Sequence, residues 1–201
     1  MFDDKCSMTS LPKLILASGS PRRAEILSSV GWEFEKRVAD VDESQLPGET
    51  PEEHVLRLAL KKAEAVAENY TNALVLGADT IVVIEDQIIG KPKDLDDARG
   101  MLRMLSGKWH EVFTGVALVS GDSDFVVQIQ KTGVKFAELS DEEIGFLVEK
   151  GEPLDKAGAY AVQAQAALFI EEIRGDYWNV VGLPVNLVYE LVRRKRENVK
   201  E

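Results

Sequence analysis

The sequence predicts an α/β protein built on a mixed, curved sheet, and three observations lead to this fold class. Helical and strand patterns alternate along the chain, as they do in α/β domains. The middle of the chain is rich in strand patterns, which favours a sheet that also contains antiparallel strands. The 201 residues are 45% hydrophobic, which is enough for one large domain with a buried core.

The first predicted elements are a buried strand and a helix that follows it after a tight loop. Residues 14–17 are apolar throughout, as in a strand that is covered on both faces. Ser20 is a favourable N-cap residue, Pro21 suits the first helical position, and Gly31 ends the helix. The pattern therefore predicts a strand, a loop of small residues and a helix N-terminus in succession.

The next elements are a long helix and the central strand of the sheet. The helix begins at Thr50, which forms a capping-box pattern with Glu53. Residues 74–84 are apolar on both alternations, as expected of a central strand with both faces covered. A turn at residues 85–87 then leads into a short strand at residues 88–89.

The rest of the chain predicts, in order, a helix from Asp94 to Gly107, a hairpin of strands 112–119 and 125–135, a helix from Ser140 to Gly151, and a C-terminal helix that begins at Pro184. No linker or internal repeat divides these elements. We therefore expect residues 11–196 to form a single domain, with residues 1–10 as a disordered leader and residues 197–201 as a charged tail.

Composition and charge exclude several classes of protein. The longest apolar run, residues 73–84, is shorter than the ~20 residues that a membrane span needs, and residues 1–10 lack the apolar segment of a secretory signal. The single cysteine, Cys6, excludes an internal disulfide, so we expect a soluble protein of the cytoplasm. The formal charge of −11 disfavours nonspecific binding to nucleic acid or to an anionic membrane.

The residue inventory also limits the chemistry. Two histidines and one cysteine cannot build a zinc site of histidine and cysteine ligands, and no serine nucleophile motif is present. Acid and base chemistry would therefore fall to carboxylates, lysines or a metal-bound water.

The run SGSPRR (residues 18–23) joins the first predicted strand to a helix N-terminus. The free N–H groups and the dipole at this end of a helix favour an anion, whereas Arg22 and Arg23 are unfavourable there unless an anion binds. An ordinary cap followed by exposed arginines is the alternative, and it accounts for one arginine more easily than for two. We therefore predict that this run binds phosphate.

The helical phase of Lys62 separates it from its neighbour Lys61. At about 100° per residue, Lys62 lies about 30° from the centre of the apolar stripe of the second helix, and Lys61 lies more than about 100° from it. Lys62 therefore points toward the core or toward a cleft. A lysine that snorkels out from the edge of the stripe is a nearly equal interpretation of the same phase.

Asp79 is a carboxylate inside the apolar run of residues 74–84. Burying an unpaired carboxylate is costly, so a partner has to compensate it. A structural aspartate paired with a neighbouring group is one interpretation. A metal ligand or general base at the centre of a site is the other, and the adjacent small residues favour it.

Three further polar positions follow turns or small residues. Lys91 lies at the turn GKP, and Gln163 lies in the small-residue run AGAYAVQA, where it could read a base or a phosphate. A close-packed loop is the alternative for that run. Lys108 is explained by its place at a helix C-terminus, where a cation is favoured.

Taken in order, the blocks SGSPRR, GADTIVV, GKP, LSGKWHEVFTGV, EPLDKAGAY and GDYWNVVGLP strongly resemble the Maf family of nucleotide pyrophosphatases. Each block is weak alone, but the ordered set is very specific. The resemblance implies a fold similar to that of inosine triphosphate pyrophosphatases, with a substrate cleft between two lobes, in a homodimer. It also implies hydrolysis of nucleoside triphosphates to monophosphate and pyrophosphate with Mg²⁺, Mn²⁺ or Co²⁺.

The resemblance further implies roles for nine residues. Asp79, Lys62 and Glu43 match the catalytic positions of the family, and Asp79 and Glu43 are also implied as metal ligands. The positions that match its substrate-binding residues are Ser18, Arg22, Arg23, Thr80, Lys91 and Gln163. Helical phase and the buried acid single out Lys62 and Asp79 independently of the resemblance.

The branch of the family is indicated by a few positions. The Pro-Arg-Arg form of residues 21–23 resembles the branch that acts on dTTP and UTP, because the 7-methyl-GTP branch typically has an aromatic residue before the second arginine. Thr80 and Gln163 agree with this interpretation. Ala161 and Ala164 depart from the glycines that often flank the glutamine, so their methyl groups could narrow the pocket.

Two alternatives to a dTTP/UTP pyrophosphatase remain at this point. One is the 7-methyl-GTP branch of the same family. The other is a regulatory protein that inhibits septum formation by binding a partner, an activity with which the Maf name is associated. A pure binder would not need a buried acid among cations, and product release from a panel of nucleotides separates the two classes.

Overall fold

The computed structural model describes residues 11–38, 40–70, 73–121 and 124–198. The predicted leader of residues 1–10, with Cys6, lies outside the described residues, and so do the last three residues of the predicted charged tail.

The described chain contains seven strands and six α-helices, which alternate along much of the sequence. The strands are β1 (Leu14–Ala17), β2 (Phe34–Arg37), β3 (Leu74–Ile84), β4 (Gln87–Ile89), β5 (Trp109–Ser120), β6 (Asp124–Phe136) and β7 (Ile170–Arg174). The helices are α1 (Pro21–Ser29), α2 (Pro51–Ala67), α3 (Leu95–Leu105), α4 (Asp141–Lys150), α5 (Tyr177–Val181) and α6 (Val185–Asn198). The predicted α/β class is confirmed.

All seven strands belong to one sheet in the order β2-β1-β3-β5-β6-β7, and β4 pairs with β3. β1 is parallel to β2 and to β3, whereas every other pair is antiparallel. The sheet is therefore mixed, as the strand-rich middle of the chain predicts.

Local patterns locate most of these elements. The capping boxes at Thr50 and Ser140 are both formed, and they begin α2 and α4. β2, β7 and the short helix α5 are not predicted, because β2 and β7 are short outer strands of mixed polarity with no clear alternation. The last helix continues to Asn198, past the predicted domain end at residue 196.

The sheet is covered on both faces. The larger core packs Leu16, Leu76 and Leu118 of the central strands against α1, α3, α4 and α6. Helix α2 covers the other face, where Ala59 and Ala63 belong to a smaller cluster. No helix in the described part of the chain combines the length and apolar character that a membrane span requires.

Two glycines let α2 lie unusually close to the sheet. A Cβ atom on Gly77 of β3 would lie 2.2 Å from the carbonyl oxygen of Ala59, and one on Gly115 of β5 would lie 2.2 Å from that of Val55. Any larger residue would collide with the helix backbone at these points. The absence of a side chain at these two positions therefore determines how close the face of α2 that carries Lys62 comes to β3.

One edge of β3 is interrupted, and this interruption creates the site. β5 pairs with β3 along nearly its full length on one edge. On the other edge, β1 pairs only with residues 74–76 and β4 only with residues 82–84. Residues 77–81 therefore have no strand partner on that edge within the described chain, and Asp79 lies at the middle of this gap.

Candidate active site

A cleft of about 610 Å³ opens beside the gap in β3. All nine residues that the sequence predicts for the site line it: Ser18, Arg22, Arg23, Glu43, Lys62, Asp79, Thr80, Lys91 and Gln163. They come from the β1–α1 loop, the first turn of α1, the loop before α2, α2 itself, β3, the turn after β4 and the segment after α4. The structure therefore brings together positions that are up to 145 residues apart in the sequence.

Lys62 lies between two carboxylates. Its Nζ is 2.7 Å from Oδ1 of Asp79 and 2.6 Å from Oε1 of Glu43. Lys62 and Asp79 are buried, whereas the neighbouring Lys61 is exposed, so the predicted orientation of Lys62 is confirmed. The buried acid is thus compensated by a buried cation, as the cost of burying a lone charge requires.

Arg23 closes part of the gap in β3 with its guanidinium group. Nη1 donates to the carbonyl oxygen of Ala78 (2.8 Å) and to Oγ of Ser18 (3.0 Å). Nε donates to the carbonyl oxygen of Gly182 (2.8 Å), and Nη2 donates to Oγ1 of Thr80 (3.0 Å). Four of the five N–H donors of an arginine are therefore directed at the protein.

The surroundings of Arg23 leave its charge partly compensated. Burial lowers the pKa of Arg23, and the nearby carboxylate of Asp79 acts in the opposite direction. Arg23 is only 8% exposed, and its guanidinium remains a buried cation beside the cleft. One N–H group and a partly compensated positive charge are left to act on a ligand.

Ser18 is positioned to donate a hydrogen bond. Its Oγ accepts from Nη1 of Arg23 and, at 3.2 Å, from the backbone N–H of Ser20. Since a hydroxyl has two acceptor lone pairs and one donor, both lone pairs are used and the O–H is left for another acceptor. The side chain of Ser20, at the N-cap of α1, makes no capping hydrogen bond.

Arg22 reaches across the cleft to Asp155. Its Nη1 is 2.9 Å from Oδ2 of Asp155, and Nη2 donates to the carbonyl oxygen of the same residue at 3.3 Å. Lys156 contacts the other carboxylate oxygen at 2.5 Å. Burial by itself would raise the pKa of Asp155, but the hydrogen bonds from Lys156 and Arg22 outweigh it and lower the pKa. Asp155 therefore bears a negative charge between two cations.

Gly158 holds the segment after α4 against the rest of the cleft. Its backbone is left-handed (φ +69°), its N–H donates to the carbonyl oxygen of Gly90 at 3.0 Å, and a Cβ there would lie 3.0 Å from Cγ2 of Val82. This close approach brings Gln163 to the same cleft as Lys91, and both side chains are exposed at its mouth.

Tyr160 forms a buried wall of the cleft and is supported by His110. The Nε2 atom of His110 lies 2.8 Å from the hydroxyl of Tyr160, while Nδ1 of the same ring is buried without a hydrogen-bond partner in the described structure. Burial lowers the pKa of His110 to about 4 and raises that of Tyr160. Both groups are therefore neutral near pH 7.

The block EPLDKAGAY contributes three polar side chains to which the sequence assigns no role, since Asp155, Lys156 and Tyr160 all line the cleft. The adjacent Asp155 and Lys156, which precede a run of small residues, are the sequence signal that could have predicted this part of the cleft. Ala161 also lines the cleft, whereas the exposed Ala164 lies outside the set of lining residues. Only the first of the two departures from glycine therefore contacts the pocket.

The carboxylates suit a metal that is shared with a substrate. Glu43 and Asp79 offer hard oxygen ligands that contact the same nitrogen of Lys62. The described residues contain no group of three or more metal-binding side chains. Mg²⁺ is commonly bound by only one or two carboxylates together with the phosphates of a substrate, so two carboxylates fit this class of cation.

Comparisons with known proteins show to which family the chain belongs. Residues 13–195 match the model of the family described as Maf-like protein. A protein named dTTP/UTP pyrophosphatase from Symbiobacterium thermophilum is 52% identical over 182 residues, which cover 90% of this chain and 93% of that relative. A protein of the same name from Geotalea uraniireducens is 52% identical over 188 residues, covering 93% and 97% of the two chains.

A HAM1 protein from Coxiella burnetii is 18% identical in a solved structure, with 64% of this chain and 75% of that chain covered. The TM-score of this match is 0.47. The match to the family model and the identity to the two relatives extend over nearly the whole sequence. The chain belongs to the Maf family.

Proposed function

We propose that this protein hydrolyses nucleoside triphosphates, with dTTP and UTP as substrates, to the monophosphate and pyrophosphate. The observation that carries the proposal is the buried lysine that bridges Glu43 and Asp79 at the floor of a cleft lined by arginines and lysines. The names of the relatives agree with it.

The charge in the cleft is opposite to that of the whole chain. The formal net charge is −11. In contrast, the cleft is lined by five cationic and three acidic side chains, namely Arg22, Arg23, Lys62, Lys91, Lys156, Glu43, Asp79 and Asp155. A local excess of cations attracts a polyanion even when the whole molecule is acidic, so a triphosphate is the fitting ligand.

The β1–α1 loop would hold the phosphates. The O–H of Ser18 is free to donate, and no side chain caps the N-terminus of α1, whose dipole and N–H groups favour an anion. Arg22 can exchange Asp155 for a phosphate, and the exposed Lys91, which lines the same cleft, can approach the phosphates as well. Arg23 would add its positive charge and its one remaining N–H donor to the phosphate site.

The chemical step would take place beside Asp79. The oxygen of a water molecule attacks the α-phosphorus while the bond from that phosphorus to the bridging oxygen of the β-phosphate breaks. Pyrophosphate leaves with the bonding electrons, and the carboxylate of Asp79 accepts a proton of the water. Lys62 stabilises the charge that develops on the phosphoryl oxygens.

Mg²⁺, Mn²⁺ or Co²⁺ bound by Glu43 and Asp79 would neutralise phosphate charge and polarise the phosphorus–oxygen bond. Lys62 holds the two carboxylates close together without such a cation. The arrangement of the two ligands is therefore set by the protein before a substrate arrives.

The base would be read by Thr80, Gln163 and Tyr160, which all line the cleft. Ala161 lines the same cleft, and its methyl group would leave less room there than a glycine would, which would favour a small pyrimidine over a purine. Sites that hydrogen-bond a base discriminate because their own polar groups are left unpaired by the wrong base.

We also propose a homodimer in the cytoplasm that acts on free nucleotides, not on nucleic acid or a membrane surface.

The experiment is pyrophosphate release from dTTP, UTP, dCTP, ATP, GTP and 7-methyl-GTP with Mg²⁺, Mn²⁺ or Co²⁺. We expect kcat/KM for dTTP and UTP at least about 10-fold above that for the purine nucleotides, a difference of about 1.4 kcal/mol. Asp79→Asn should keep the fold and lose about 100-fold or more in kcat.

Two results would contradict the activity or its mechanism, and a third would contradict only the base preference. A protein that only binds a cell-division partner would release no pyrophosphate from any nucleotide. A folded Asp79→Asn variant with normal turnover would remove Asp79 from the chemistry. Equal kcat/KM for dTTP and 7-methyl-GTP would refute the base preference and leave the pyrophosphatase activity standing.

A further inference from the structure

The loop that carries Glu43 has no secondary structure of its own. Residues 40–49 connect β2 to α2 without a helix or strand, and most of them are exposed. The side chain of Glu43 is itself 55% exposed, yet it lies 2.6 Å from Nζ of Lys62. Something must hold this loop, because fixing each backbone residue costs about 1–2 kcal/mol of conformational entropy.

Glu49 is the buried anchor at the end of this loop. Its side chain is only 6% exposed. Oε2 accepts hydrogen bonds from Nη2 of Arg57 (2.7 Å) and from the backbone N–H of Leu46 (3.0 Å), and it lies 3.0 Å from Nδ1 of His54. Oε1 contacts Nε of Arg57. One carboxylate therefore ties the loop backbone to two side chains of α2.

Arg57 and Gln45 complete the connection. Nη2 of Arg57 also donates to the carbonyl oxygen of Ser44 at 3.1 Å, next to Glu43 in the chain. The side-chain amide of Gln45 donates to the backbone carbonyl oxygen of Glu49 at 3.0 Å. The loop is thus fastened to α2 on both sides of residues 45–48.

We propose that Glu49, Arg57 and His54 form a clasp, hereafter the Glu49 clasp, that positions Glu43 against Lys62. Glu49 and Arg57 lie outside the set of residues that line the cleft, whereas His54 belongs to it. The inference rests on the proposed function, since it assigns a purpose to the position of Glu43. Glu49 and Arg57 are therefore positioning residues for the reaction.

The clasp is separate from the other half of the site. Lys62 and Asp79 lie on α2 and β3, whose distance is determined by Gly77, so their 2.7 Å contact does not depend on the loop. Loss of the clasp should therefore reproduce the loss of Glu43 and leave the Lys62–Asp79 pair intact. The hydrogen bond from Arg57 lowers the pKa of Glu49 to about 2, so the clasp is fully formed near neutral pH.

The test is a double-mutant cycle between Glu49→Gln and Glu43→Gln, with dTTP and Mn²⁺. We expect Glu49→Gln to reduce kcat/KM about 10-fold, in the range seen for residues that orient metal ligands. In the Glu43→Gln background the same change should cost less than about 2-fold, because the residue it positions is already lost. Asp141→Asn, which breaks the exposed ion pair with Arg103, is the matched control and should leave kcat/KM unchanged.

A second readout needs no catalysis. Amide hydrogen exchange without nucleotide should become faster in residues 40–49 of the Glu49→Gln protein and remain unchanged in β3. If Glu49→Gln does not fold, Arg57→Lys keeps the charge and loses the two-point contact, and the same two measurements apply to it.

Three results would overturn the proposal. They are equal losses from Glu49→Gln in both backgrounds, unchanged kinetics in a folded variant, or unchanged exchange in residues 40–49. Failure of the proposed function would look different. An unmodified protein inactive on every nucleotide would refute the activity, while the exchange measurement would still decide whether the clasp holds the loop.

Discussion

Replacing Gly77 by alanine tests whether the distance between α2 and β3 controls the site. The new Cβ would lie 2.2 Å from the carbonyl oxygen of Ala59 and 2.8 Å from the backbone nitrogen of Ala63. Carbon and oxygen in contact normally lie about 3.3–3.6 Å apart, so α2 has to retreat by about 1 Å. Both atoms belong to backbone, so no side-chain rotation can relieve the clash.

The consequence for catalysis follows from the position of Lys62 in the same turns of α2. A retreat of about 1 Å would lengthen the 2.7 Å contact between Lys62 and Asp79 into a distance that a hydrogen bond no longer spans. Misplacement of this size costs about 100-fold in rate. We therefore expect kcat of folded Gly77→Ala to fall by about 10- to 100-fold, and stability to fall by about 1–3 kcal/mol from overpacking.

The assays are steady-state pyrophosphate release and urea unfolding, with Gly100→Ala as the matched control. Gly100 lies in α3, and apart from its chain neighbours and the backbone of its own helix no atom lies within 4 Å of the point that a methyl group on it would occupy. Alanine there should therefore stabilise the helix by about 0.4–1 kcal/mol and leave kcat unchanged. A folded Gly77→Ala protein with the kcat of the unmodified enzyme would refute the argument that this approach sets the catalytic geometry.

Three further predictions concern single side chains of the cleft and its support. Lys62→Met should reduce kcat/KM by an amount that corresponds to about 1.5–3 kcal/mol of lost transition-state stabilisation, because it removes a charge-assisted hydrogen bond. Lys61→Met, on the exposed side of the same helix, should leave kcat/KM unchanged. Ala161→Gly should reduce the preference for dTTP over GTP without abolishing activity, and Ala164→Gly should leave that preference unchanged. His110→Phe should make the free energy of unfolding fall less between pH 7 and pH 4, as measured by urea unfolding. Burial lowers the pKa of His110 from 6.5 to about 4, so the unfolded chain binds a proton that the folded protein does not. That contribution is complete above pH 6.5 and is lost as the pH falls toward 4, by about 3 kcal/mol.

Each of these predictions has a result that contradicts it. Equal kinetics for the two lysine variants would show that the charge of Lys62 does not contribute to catalysis. An unchanged nucleotide ratio in Ala161→Gly would show that the methyl group does not limit the base pocket. The same pH dependence of unfolding in His110→Phe and the unmodified protein would assign the acid sensitivity to other groups.

The sequence alone determined the elements that depend on local chemistry. The capping box of Thr50, the apolar run of β3 and the phase of Lys62 are set by neighbouring residues, so each can be located without knowledge of the fold. The buried acid at Asp79 requires a partner on energetic grounds, although the local pattern does not name it. The ordered family motifs supply the remaining site residues.

Only the tertiary structure decided which residues meet. The gap in β3 depends on where β1 stops and β4 begins to pair, which no local pattern records. Other contacts likewise depend on how separate elements pack together. They are the hydrogen bonds of Arg23 to protein groups, the bridge from Arg22 to Asp155 and the Glu49 clasp. Periodicity and capping act over a few residues, whereas these contacts depend on strand register and on how closely backbones approach. That distance is set at points such as Gly77, where the absence of a side chain is what matters.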